Sequence, residues 1–90
     1  MRLDLFLKSS RLCARRTVAQ QLCEASLVSV NGNPGKSSTA VKPGDEIAIR
    51  RRDRVTTIQV LSLPNSRQTS RSQAATLYEI VSEEKLREEE

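Results

Sequence analysis

Two dipeptides dictate where this chain must reverse direction, Asn31-Gly32 and Pro43-Gly44. Asn-Gly accepts the positive φ angles of the tightest strand-to-strand turn, and Pro-Gly suits a turn whose glycine takes positive φ. Before the first turn, LVSV alternates Val28 and Val30 as a strand does. After the second, Ile47 and Ile49 begin another strand, RRRDR (50–54) makes its charged end and turn, and VTTIQVLSL returns with Ile58 and Val60 alternating. Between the turns, NPGKSSTAVKPGDEI has no helical periodicity.

Upstream of these strands the apolar spacing changes to that of helices. Leu3, Phe6 and Leu7 recur at i, i+3, i+4, the stripe of an amphipathic helix, with Leu5 off the stripe and expected to be exposed. In a second helix, Thr17 and Gln20 fit a capping box, and Val18, Leu22 and Ala25 form the expected apolar stripe, with Ala19 and Cys23 beside it and Ser26 at the end. Residues 63–72, containing PNSRQTSRS, read as a polar linker. Beyond it Ala74, Leu77, Tyr78 and Val81 return to helical spacing, so residues 73–90 are expected to form a C-terminal helix that runs out into an acidic tail.

The net charge of +4 is unevenly spread. Residues 1–72 hold thirteen Lys and Arg against five Asp and Glu, a net of +8, while residues 73–90 hold two against six, a net of −4. A basic body with an acidic tail points to a polyanionic partner. No run reaches the roughly 20 apolar residues that span a bilayer, and no apolar run near the N-terminus leads to a cleavage site, so a cytoplasmic protein without membrane contact is expected. Cys13 and Cys23 have neither C-x-x-C spacing nor a histidine anywhere in the chain, so they are expected to be buried thiols rather than metal ligands. The missing histidine also removes the usual proton shuttle of neutral pH. Asp4, Asp45 and Asp53 sit in turns or beside basic residues, and NGNPGK lacks the spacing of a phosphate-cradling loop. Neither an enzyme nor a cofactor is expected.

The cations are more telling. Arg2, Lys8, Arg11, Arg15 and Arg16 fall within the first sixteen positions, against Asp4 alone. Arg15 and Arg16 stand at the start of the second helix, where the positive end of the helix dipole ordinarily attracts Asp or Glu. Such a cluster is unfavourable in isolation and becomes favourable when phosphate arrives. Reversing both charges is therefore expected to abolish contact with that polyanion and leave the fold nearly unchanged. The RRRDR cluster admits two readings, an extension of the same surface or a charged guard on a strand end.

In order along the chain, Arg2-Leu3-Asp4, Phe6-Leu7, Arg15-Arg16-Thr17, Ala19, Leu22, Val28, Val30-Asn31-Gly32, Val41, Gly44-Asp45 and Ile47 match a known pattern. Over residues 1–60 the chain resembles the S4 RNA-binding domain. One departure is Ser26, where many members carry glycine, which suggests a different helix exit. The resemblance implies an α+β fold of S4 (alpha-L) type over residues 1–62, with two N-terminal helices packed on a small antiparallel sheet. By position, Arg2, Lys8, Arg11, Arg15, Arg16 and Lys36 inherit the RNA surface, Asp4 orients an arginine or caps the first helix, and Asn31 and Gly32 are mainly turn residues.

Within that family the compact length, Ala74-Ala75-Thr76-Leu77-Tyr78 and Glu83-Glu84-Lys85-Leu86 resemble the stand-alone S4 group of ribosome-associated quality control. That likeness implies a monomer bound between large-subunit rRNA and peptidyl-tRNA, acting with a partner protein that recruits alanyl-tRNA. A stand-alone S4 RNA-binding protein of the heat-shock type, or one with another rRNA or tRNA target, is the alternative.

Overall fold

The computed structural model describes residues 1–64 and 70–86. Helix α1 (Leu3–Ser9) buries Leu3, Phe6 and Leu7 completely, so the i, i+3, i+4 stripe is its core face. Leu5 is half-buried rather than exposed. Backbone hydrogen bonds stitch the start of α1 to the segment after the first turn. Leu3 N–H donates to the Thr39 carbonyl (2.8 Å), Asp4 N–H to that of Ser37 (3.2 Å), and Val41 N–H to that of Met1 (2.8 Å).

Helix α2 (Arg16–Glu24) begins one residue before the expected cap. Its N-cap is Arg15, which makes no side-chain capping bond. Thr17 and Gln20 do not form the expected box, because Gln20 is drawn away to a carboxylate on α1. The buried face is also rotated. Ala19 and Cys23 are buried, whereas Val18 is 38% exposed and Ala25 lies at the surface. Bonds from Arg16 and Gln20 to α1 fix the rotation of α2, and the small Ala19 and Cys23 suit the resulting helix-to-core contact.

Five antiparallel strands follow, β1 (Val28–Val30), β2 (Asn33–Pro34), β3 (Glu46–Arg50), β4 (Arg54–Val60) and β5 (Tyr78–Lys85), in the order β2-β1-β3-β4-β5. Both turns form where the dipeptides require them, with φ of 53° and 85° at Asn31 and Gly32 and of 95° at Gly44. The strand residues Val28, Val30, Ile47, Ile49, Ile58 and Val60 alternate inward and meet Leu3, Phe6 and Leu7 in one core. Gly35 lies under that contact, where an added Cβ would come within 2.7 Å of Leu3 Cδ2.

The C-terminal region departs most from expectation. Helix α3 is short, Arg71–Ala75, and it carries a capping box formed by Ser70 and Gln73. Ala74 and Leu77 are buried as the docked face requires, but the chain then extends into β5 instead of continuing as a helix. Tyr78, Ile80 and Val81 favour extended backbone, and the open edge of β4 offers a ladder of unpaired amides and carbonyls. β5 takes that ladder over Arg54↔Lys85 to Val60↔Tyr78, with an irregularity at Thr57/Ile58. Glu83 is not merely solvated, since its Oε2 accepts from Thr56 Oγ1 (3.1 Å) and Arg54 Nη1 (3.3 Å). The central part of the expected linker (65–69) and the end of the tail (87–90) lie outside the described residues.

Candidate nucleic-acid interface

A buried carboxylate organises the cations at the head of the two helices. Asp4 is fully buried, and its oxygens accept from Arg2 Nε (3.2 Å), Arg16 Nε (3.1 Å), Gln20 Nε2 (2.9 Å) and the Leu5 backbone N–H (2.8 Å). Burial by itself would raise its pKa, but the bonds from Gln20, Arg16 and Arg2 outweigh that and hold the carboxyl below its ordinary value. The acid missing from the first turn of α2 is thus supplied from α1.

This clamp directs the arginines rather than consuming them. Arg2 and Arg16 remain 51% and 43% exposed. Arg16 engages Asp4 through Nε, so among the described bonds its two Nη groups are left for another anion. Arg15 is exposed, and its side chain has no hydrogen-bond or ion-pair partner among the described residues. Beside it, the first backbone N–H groups of α2 have no side-chain cap. Lys36 is exposed next to Ser37, whose carbonyl binds the Asp4 amide, so it belongs to the same end of the molecule.

Lys8 and Arg11 fall elsewhere. They leave the C-terminal end of α1, where Arg11 has a φ of 63°, and line a cleft of about 890 Å³ with Arg71 and Tyr78 opposite. The six expected site residues therefore form two groups, with Arg2, Arg15, Arg16 and Lys36 at one end of α1 and Lys8 and Arg11 at the other. Arg71, read from sequence as linker, and Tyr78, read as part of a helix face, reach that cleft through the placement of α3 and the start of β5.

Asn31 has the structural role expected of it. Its Nδ2 donates to Asp45 Oδ1 (3.1 Å) and its Oδ1 accepts from Glu46 N–H (2.9 Å), tying the first turn to β3. Asp45, buried, also receives Lys42 N–H (2.9 Å) and Lys42 Nζ (3.2 Å). In RRRDR, Arg51 folds back so that its Nη2 donates to the Leu12 carbonyl in the α1–α2 turn. Both cysteines are free and buried, and burial pushes both thiols up in pKa. Among the described residues no His, Cys, Asp and Glu cluster suited to a metal occurs, and no helix is long and apolar enough to cross a membrane.

The S4 domain model matches residues 1–47, from the Asp4 clamp through the two turns to β3. The chain belongs to the S4 domain family. Its S4 relatives include a Bacillus subtilis protein named "RQC P-site tRNA stabilizing factor", 47% identical over 98% of this chain and 100% of its own length. A Halalkalibacterium halodurans protein of the same name is 45% identical over the whole of both chains. Among solved structures, the S4 fold here superposes on the trimeric structure of Vibrio cholerae Heat Shock Protein 15 with a TM-score of 0.82, at 28% identity, over 91% of this chain and 82% of that one. The α+β expectation of two helices on a small antiparallel sheet holds for this S4 chain, with the C-terminal helix expected from residue 73 confined to the short α3 and followed by β5.

Proposed function

We propose that this protein is a non-catalytic RNA-binding factor of the large ribosomal subunit. After a stall it holds the P-site peptidyl-tRNA against rRNA, and so supports alanine tailing of the nascent chain by a partner that recruits alanyl-tRNA. The observation that carries the RNA reading is the Asp4 clamp, which aims Arg2 and Arg16 outward beside the uncapped start of α2. Guanidinium groups and backbone N–H groups converging at a helix N-terminus suit phosphate oxygens. Such contacts position a backbone without reading its sequence, which fits recognition by RNA shape. The name shared by the Bacillus subtilis and Halalkalibacterium halodurans relatives, which align over 98% and 100% of this chain, supports the P-site tRNA assignment.

The decisive experiment is an affinity pull-down of the tagged protein from cells, with imaging of the attached particles. Free large subunits carrying P-site tRNA are expected. Intact ribosomes or unrelated RNAs would sink the quality-control role. The heat-shock type of S4 protein remains the second reading because of the close superposition on Heat Shock Protein 15. In a separate co-sedimentation assay with large subunits, Arg15→Glu should abolish binding, and retained binding would remove the α2 start from the interface.

A further inference from the structure

A groove separate from the Asp4 clamp runs between α2 and the β3–β4 turn. It encloses about 370 Å³ and is lined by Leu12, Val18, Leu22 and Leu27 on one side and by Arg50, Arg51 and Arg52 on the other. Its aliphatic part is built by the end of α2. Ser26 has a φ of 62°, Ser26 N–H bonds the Cys23 carbonyl (3.0 Å) and Leu27 N–H bonds that of Leu22 (2.9 Å). This pair of bonds folds Leu27 back beside Leu22. The basic part is held by Arg51, which is anchored on the Leu12 carbonyl. Arg50 and Arg52 are exposed, with no side-chain partner among the described residues. No acidic residue lines the groove.

Aliphatic surface flanked solely by cations fits a ligand with a flat, weakly polar face and a negative charge attached to it. An unstacked nucleotide has that chemistry, since its base can leave water against apolar side chains and a guanidinium plane while its phosphate meets arginine. Continuity with the RNA-facing end of α2 favours RNA over a peptide. Ala14, the residue before Arg15, and Val18, in the first turn of α2, both line the groove, so it begins next to the start of α2.

We infer that this groove receives one extruded nucleotide of the bound RNA, its base against Val18 and Leu22 and its flanking phosphates on Arg50 and Arg52. The inference rests on the RNA-binding function proposed above, and it gives RRRDR a role beyond guarding a strand end.

The test uses the full chain and purified large ribosomal subunits carrying P-site tRNA. Val18→Asn removes apolar surface without changing charge, at an exposed position where the fold should persist, and a circular dichroism melt verifies this. It should weaken binding about five- to tenfold, the size expected for losing the partial burial of one aliphatic side chain. Arg50→Gln with Arg52→Gln spares the anchoring Arg51 and should lower the salt slope of binding by about one to two. Ultraviolet cross-linking of the wild-type complex should yield nucleotide-bearing peptides within residues 12–27. Unchanged affinity in Val18→Asn, or nucleotide adducts confined to other segments, would overturn the inference, as would a ribosomal-protein peptide cross-linked there. If Arg15→Glu still abolishes binding in those cases, the RNA-binding function stands and the groove alone is wrong. If the wild-type chain fails to bind the subunits at all, that function falls and takes the groove with it.

Discussion

Arg15 and Arg16 are adjacent in sequence and equal in charge, yet they do different work. Arg16 is half of a pair with the buried Asp4, whereas Arg15 is exposed and touches no described acid. Reversing both was expected to spare the fold, and the clamp shows why the two must be separated. Arg16→Glu sets a carboxylate against a buried carboxylate, and should cost about 2 kcal/mol, a fall of roughly 10 °C in Tm. Arg15→Glu should leave the thermal melt within a few degrees of wild type. Equal melts for the two variants would deny the clamp. Asp4 also sets an acid limit. Its folded-state pKa lies below its ordinary value of 3.8, so its contribution is complete above that value and is lost as pH falls through the lower folded one. Stability measured by denaturant titration should be flat in this respect above about pH 5 and decline below about pH 4. Asp4→Asn should start less stable and decline less steeply over the same range.

Two elements end or begin in ways that chain-local patterns described incompletely. Ser26 was expected to alter the exit from α2, but its φ of 62° and the bonds around it make the exit that a glycine would make. Ser26→Gly should therefore stabilise the protein by about 0.5–1 kcal/mol through relief of the left-handed backbone, read as a higher thermal midpoint. Gly35 is the opposite case, since Gly35→Ala would push a Cβ into the buried Leu3 and should cost about 1–3 kcal/mol. At the C-terminal end, Ala74, Leu77, Tyr78 and Val81 have helical spacing, yet Tyr78–Lys85 is a strand. Backbone chemical shifts by NMR should be extended-type from 78 to 85, with slow amide exchange at the positions bonded to β4. Helical shifts there would reject the fifth strand.

For the whole molecule, the basic end and the acidic strand are partly reconciled within one sheet, where Glu83 meets Arg54. Among the described residues, cations without an acidic partner include Arg15 at the head of the two helices and Arg50 and Arg52 beside the β3–β4 turn. If Arg2, Arg15 and Arg16 each meet one phosphate, they should contribute about −2 to −3 to the slope of log affinity against log salt, in addition to what Arg50 and Arg52 add. A flat salt dependence in a co-sedimentation titration would mean that the interface is not a phosphate surface. The fold was legible wherever the physics is local. Asn31-Gly32 and Pro43-Gly44 impose backbone angles on themselves, and the stripes in α1, β1, β3 and β4 each bury the face their period specifies. The basic cluster was legible too, because charge is counted without coordinates. Its division into a clamped group and a separate pair at the far end of α1 was not, since Asp4 and Arg16 are twelve positions apart and meet only when two helices pack. The same holds for the rotation of α2, which long-range hydrogen bonds fix, and for β5, whose helical spacing lost to the open edge of β4. Local spacing settles what a segment prefers. The partner it finds across the fold settles which preference is kept.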